Sequence, residues 1–180
     1  PDDCGYHLSN NAALGHRRLS IIDLKYGHQP IYNEDKTRCI IYNGEVYNYK
    51  EVRAELMQKG HRFSTNGDTE TILHAYEEWG EECLKRLRGM FAFCIWDSTQ
   101  NAMFIARDRF GEKPLFYAQH NDKFVFSSEI KSILTDSLFK RSIDDEALAS
   151  YFMFSYIPAP LTIYKNIKKL PAGHFLIFKN

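Results

Sequence analysis

The sequence has no surplus of either charge: 23 basic and 23 acidic residues leave a formal net charge of zero over 180 residues. A nucleic-acid or anionic-membrane binder needs a basic face, and this balance gives no bulk sign of one. Long apolar runs are also missing. The longest, Met90 to Trp96, is seven residues, against the ~20 that a membrane-spanning helix requires. The opening Pro1-Asp2-Asp3 lacks the basic-then-apolar pattern of a secretory signal. Four cysteines (Cys4, Cys39, Cys83 and Cys94) are widely spaced with no Cys-x-x-Cys pair. Reduced thiols and a cytoplasmic setting are therefore expected, not a disulfide scaffold. The seven histidines lack the i, i+3 or i, i+4 spacing of a helical metal site, and no metal is expected. Aromatics, by contrast, are plentiful: 13 Phe, 11 Tyr and 2 Trp predict a ring-rich core. A chain this long buries roughly 70% of its unfolded surface and needs no covalent staple.

Short strand-like runs alternate with a few helices, and no linker or repeat divides them. Arg38 to Tyr42 reads as a buried strand ended by Asn43-Gly44, a strong turn signal. Asn48 to Lys59 has helical periodicity in Tyr49, Val52 and Leu56, with Asn48 as N-cap and Gly60 as stop. A second helix starts near Asp68-Thr69, carries Ile72, Tyr76 and Trp79 on one stripe, and ends at Gly80. Met90 to Asp97 is apolar on both faces, which predicts a strand covered on two sides. Strands are also predicted at Ala102–Arg107, Pro114–Gln119, Lys123–Ser128 and His174–Phe178, with helices at Glu129–Leu134 and Asp144–Phe154. Pattern alone reaches a layered α+β protein with antiparallel sheets.

Three short segments are candidates for chemistry. In Gly15-His16-Arg17-Arg18-Leu19-Ser20-Ile21-Ile22-Asp23-Leu24, an arginine near the end of a strand can grip a carboxylate with two prongs or make a structural ion pair. Asn43-Gly44-Glu45 offers a side-chain amide and a glycine N–H that together suit an oxyanion, or else an ordinary hairpin turn. Asp68 can take an ammonium group or cap a helix. One cation, one anion and one pair of oxyanion donors are the set an α-amino-acid side-chain amidase needs.

Those segments, with Tyr42 to Asn48, Gly67-Asp68-Thr69-Glu70, Arg88 to Phe93, Ala106 to Leu115, Ser128-Glu129-Ile130-Lys131 and Leu170 to His174, closely resemble the glutaminase domain of glutamine-hydrolysing asparagine synthetase. The resemblance covers nearly the whole chain. It implies an α+β, N-terminal-nucleophile hydrolase fold: a four-layer αββα sandwich of two antiparallel sheets, incomplete at its start. It implies L-glutamine as ligand, with Arg18 on the α-carboxylate within the binding run Arg18, Leu19, Ser20, Ile21 and Ile22. Asn43 and Gly44 would form the oxyanion hole, Glu45 would belong to the same loop, and Asp68 would take the α-ammonium group. Asp108-Arg109-Phe110-Gly111 and Ser128 to Lys131 are expected to be a scaffold turn and a helix start.

The family's nucleophile is an N-terminal cysteine, whose own α-amine serves as base. The register of the motifs makes Cys4 a variable position instead, and Cys39, Cys83 and Cys94 read as core fillers. The expectation is a type-2 glutamine amidotransferase domain over residues 1–180, cut at both ends and inactive alone. Its partner would be a C-terminal synthetase domain that uses ATP and Mg²⁺ to amidate aspartate. No cofactor is expected in this chain, for it has no Ser-Gly-Gly-type pyrophosphate loop. A homodimer is left open. The alternatives are a non-catalytic glutamine-binding or scaffold domain, or an amidotransferase domain serving another acceptor acid.

Overall fold

The computed structural model describes residues 3–18 and 27–179. In chain order the elements are strands β1 (Asp3–Leu8), β2 (Ala13–Arg18), β3 (Ile31–Tyr32) and β4 (Arg38–Val46), then helices α1 (Tyr49–Gln58), α2 (Asp68–Trp79) and α3 (Cys83–Arg86). Strands β5 (Gly89–Asp97), β6 (Ala102–Arg107), β7 (Phe116–His120) and β8 (Lys123–Ser127) follow. Helices α4 (Ile130–Ile133) and α5 (Asp145–Phe154) and strands β9 (Lys168–Lys169) and β10 (Phe175–Lys179) complete the chain. Two compact units emerge: residues 1–106 with 176–180, and residues 107–175.

The first unit is built on a five-stranded sheet in the order β10-β6-β5-β4-β3, in which β3 and β4, and β4 and β5, run antiparallel. The period-2 pattern places Ile40, Tyr42 and Val46 of β4 and Phe91, Phe93 and Ile95 of β5 in one core with Val52 and Leu56 of α1 and Ile72 and Leu73 of α2. The helices thus cover that face. Cys39, Ile41, Cys94 and Trp96 on the alternate positions are buried as well, so the predicted two-sided burial of β5 is borne out. A β1–β2 hairpin pairs Asp3 with Arg18 and Gly5 with His16. The second unit carries a three-stranded sheet, β8-β7-β9, over whose strands Ile133 and Phe139 pack with Ala118 and Ile167. Asp144 caps α5 by accepting the Ala147 N–H at 3.0 Å.

Three local expectations need correction. Asn43-Gly44 does not end its strand: β4 runs through it to Val46. Gly44 makes this feasible, because its φ is +151° and a Cβ there would sit 2.1 Å from the Met90 carbonyl oxygen of β5. Gly89 approaches Glu45 from the other side in the same way. Asn48 stands at the cap position of α1 but makes no capping bond; its side chain donates to the Arg86 carbonyl and accepts from the Arg88 N–H. Finally, Gly67 is the N-cap of α2, and Asp68 is its first helical residue.

Candidate active site at the edge of β4

Because β3 pairs only with Ile40 and Cys39, the outer edge of β4 beyond them has, among the described residues, no strand of this sheet alongside it. Side chains take over. The buried Gln29 amide acts as a substitute strand: its Oε1 accepts the Tyr42 N–H at 2.7 Å and its Nε2 donates to the Tyr42 carbonyl at 3.1 Å. Two residues on along one edge of a strand, the backbone groups point the same way again. The Val46 N–H accordingly donates to Asp68 Oδ2 at 2.9 Å. Gly44 lies midway, so the same alternation aims its N–H to this edge, between Gln29 and Asp68.

Asp68 is buried, and its Oδ2 also accepts the Tyr42 hydroxyl at 2.6 Å. One carboxylate therefore holds both flanks of Asn43-Gly44-Glu45. Burial first, then the neighbouring Asp68 charge, pushes the Tyr42 phenol well above its ordinary value, so it stays a donor. A carboxylate offers about four acceptor positions, so two bonds at Oδ2 leave room for a charged donor. The α2 start that carries Asp68 is itself fixed by Glu70. Its oxygens accept the N–H and hydroxyl of Ser64 at 2.8 and 2.9 Å and those of Thr65 at 2.7 and 2.6 Å. Burial would raise the Glu70 pKa, but its hydrogen bonds from His74, Ser64 and Thr65 hold it down at about 2.

Arg18 ends β2, the strand that runs against β4. His16, on the same face of β2, is pushed below the ordinary imidazole value by burial, partly offset by a hydrogen bond to the Tyr42 main chain. Tyr42 is thus the meeting point: Gln29 and His16 reach its backbone, and Asp68 takes its hydroxyl. Arg18 also stands opposite Asp3 in the hairpin register. The Asp3 pKa is lowered chiefly by its bond to His28, and Arg18 adds a smaller electrostatic contribution. Leu19, Ser20, Ile21 and Ile22 lie outside the described residues. Asn43 is exposed, and Gly44 and Glu45 are half-buried.

Sequence reasoning missed Gln29, Tyr42 and Glu70 as positioning groups. Tyr42 and Glu70 carried a signal, by standing in the same short motifs as Asn43 and Asp68; Gln29 carried none. Asp108 is the scaffold turn expected: its carboxylate accepts the N–H groups of Phe110, Glu112 and Lys113, each at 3.0 Å. Cys39, Cys83 and Cys94 are buried core fillers whose thiols burial pushes up, the first two to about 12. No helix among the described residues is long and apolar enough to cross a membrane.

The fold is shared with a solved amidotransferase. Glutamine phosphoribosylpyrophosphate amidotransferase from Bacillus subtilis, complexed with ADP and GMP, superimposes with a TM-score of 0.62 over 93% of this chain and 33% of that one, at 20% identity. That likeness agrees with the α+β, N-terminal-nucleophile hydrolase class expected above. The whole chain, residues 1–180, matches the glutamine amidotransferase domain family, and the chain belongs to it. Among curated relatives, asparagine synthetase [glutamine-hydrolyzing] 1 of Bacillus subtilis (strain 168) is 46% identical over 96% of this chain and 27% of its own length. Asparagine synthetase [glutamine-hydrolyzing] 3 of the same strain is 42% identical over 99% of this chain and 30% of its own length. A putative asparagine synthetase of Methanocaldococcus jannaschii is 40% identical over 99% of this chain and 38% of its own length. The chain thus spans well under half the length of these relatives.

Proposed function

We propose that this chain is the glutaminase domain of a glutamine-hydrolysing asparagine synthetase, binding L-glutamine and supplying ammonia to a C-terminal synthetase domain. The observation that supports this most is the Asp68 carboxylate joined to both flanks of Asn43-Gly44-Glu45. In this reading Asp68 takes the α-ammonium group, and Arg18 takes the α-carboxylate in a two-pronged contact continued by Leu19 to Ile22. Glu45 lines the same segment. A thiolate adds to the side-chain amide carbon, and the carbonyl electron pair moves onto oxygen. The Asn43 amide and the Gly44 N–H stabilise that oxyanion. Collapse expels the protonated nitrogen as ammonia and leaves a thioester. Water hydrolyses this to glutamate and the free thiol.

The thiol is none of the four cysteines here. Burial keeps Cys39, Cys83 and Cys94 protonated and out of reach. Cys4 has an amide N–H, bonded to Asp3 at 2.8 Å, and not a free amine. Glutamine hydrolysis as proposed here calls on no cofactor, and ATP and Mg²⁺ serve the synthetase domain that amidates aspartate. Four free cysteines suit a cytoplasmic enzyme. Calorimetric titration with L-glutamine tests the reading: one saturable site is expected, abolished by Arg18→Ala. Absence of heat in the unmodified chain would favour a scaffold role. An ammonia-release assay on the 180-residue chain should read zero, and turnover blocked by Cys4→Ala would reassign the nucleophile.

A further inference from the structure

Away from the edge of β4, two histidines and a glutamate converge. His74 and Glu77 are one turn apart on α2 and share a face. His61 enters from the segment after α1, its backbone N–H fixed on the Leu56 carbonyl at 3.1 Å. His61 Nδ1 lies 3.3 Å from His74 Nδ1 and 3.9 Å from Glu77 Oε2, and His74 Nδ1 lies 2.7 Å from Glu77 Oε2. We propose that these three atoms form a binding site for one zinc-like divalent cation, with water as the fourth ligand.

The geometry supports this in four ways. Tetrahedral zinc with bonds of about 2.0–2.1 Å separates its ligand atoms by roughly 3.3 Å, and the three observed separations straddle that value. Each imidazole also turns its outer nitrogen toward a carboxylate. His61 Nε2 meets Glu78 Oε2 at 3.2 Å, and His74 Nε2 faces Glu70 Oε1 at 3.9 Å. Carboxylates behind ligating histidines fix the tautomer that leaves the inner lone pair for a metal. Glu77 is aimed in the same way: Asn33 donates to its Oε1 at 2.7 Å and Arg38 approaches that oxygen at 3.6 Å, which leaves Oε2 for the cluster. Finally, His74 is buried, with the edge of Phe63 against it at 4.7 Å between ring centres, whereas the side chains of His61 and Glu77 keep 17% and 13% exposure for entry and a water ligand. Two nitrogens and one oxygen suit zinc better than calcium or magnesium. The spacing of the histidines in sequence conceals the site, because one comes from α2 and the other from the segment after α1.

The test is titration of the metal-free protein with Zn²⁺ by calorimetry, and with Co²⁺ by visible absorption, in the absence of glutamine. One Zn²⁺ per chain is expected, and Co²⁺ should give the intense visible bands of a tetrahedral site that Zn²⁺ then abolishes. His61→Ala and the milder Glu77→Gln should each weaken Zn²⁺ binding at least roughly tenfold, while His120→Ala leaves it unchanged. Binding only at millimolar Zn²⁺, or stoichiometric binding that survives both substitutions, would overturn the proposal. Should His61→Ala fail to fold, Glu77→Gln decides alone.

Discussion

Two buried aspartates, one in each unit, use their carboxylates in opposite ways. Asp108 in the second unit is enclosed by its own loop, accepting the amides of Phe110, Glu112 and Lys113 within five residues. Beside it, Arg107 gives its guanidinium to the carbonyls of Lys113, Leu170 and Gly111. Such a carboxylate organises a turn. Asp68 in the first unit instead concentrates a phenol and a distant amide on one oxygen, at a strand edge that no strand of its sheet covers beyond Ile40 among the described residues. Burial alone therefore does not distinguish a scaffold carboxylate from one proposed to bind a ligand. The number and origin of its donors do.

The largest expected effect falls on the scaffold. Asp108→Ala strands three amides and should lower unfolding stability by about 4 kcal/mol in urea denaturation, leaving glutamine affinity in the folded fraction unchanged. Asp68→Asn should do the reverse: it keeps an acceptor for Tyr42 and Val46, costs stability by about 1 kcal/mol, and weakens L-glutamine at least roughly a hundredfold by calorimetry, as loss of a charged contact does. Equal effects of the two substitutions on affinity would erase the distinction. Gln29→Ala leaves the Tyr42 N–H unpaired and its carbonyl with the His16 bond alone, and should cost about 2 kcal/mol, again read by denaturation.

The smallest effect sharpens the scaffold side through pH. Asp97, on β5, is fully buried and accepts Arg38 Nε at 2.8 Å and the Thr99 hydroxyl at 2.5 Å. Burial would raise its pKa, but the Thr99 and Arg38 contacts win and lower it from 3.8. Its contribution is therefore complete above the ordinary carboxylate value and disappears as pH falls through the lowered one. Acid unfolding of Asp97→Asn should be correspondingly less steep below pH 3.8 than that of the unmodified chain.

Much of this was legible in the residues, and the failures have physical causes. Helix α2 was readable because Ile72, Tyr76 and Trp79 repeat at helical spacing and Gly80 stops it; β6 matched its predicted bounds because Ala102 to Arg107 follows an evident turn. The β1–β2 hairpin was not read as a pair, since in β1 the apolar Tyr6 and Leu8 take exposed positions while Gly5 is buried. Strand β9 is two lysines long. The Asn-Gly pair misled for a different reason: it signals a turn in isolation, but here Gly44 allows close approach of β4 and β5. Of the candidate site, Asp68 bonds to Tyr42 and Val46 on either side of Asn43-Gly44-Glu45, while the part of Gln29 was invisible because a side-chain amide that pairs with a strand edge leaves no pattern in sequence.

The most direct measurement is the amide spectrum of the ¹⁵N-labelled chain during titration with L-glutamine. The account predicts that the Gly44 and Val46 amides shift together and saturate, while those of Phe110, Glu112 and Lys113 stay in place. Saturating glutamine that leaves Gly44 and Val46 unmoved, or that moves the Asp108 loop instead, would contradict it.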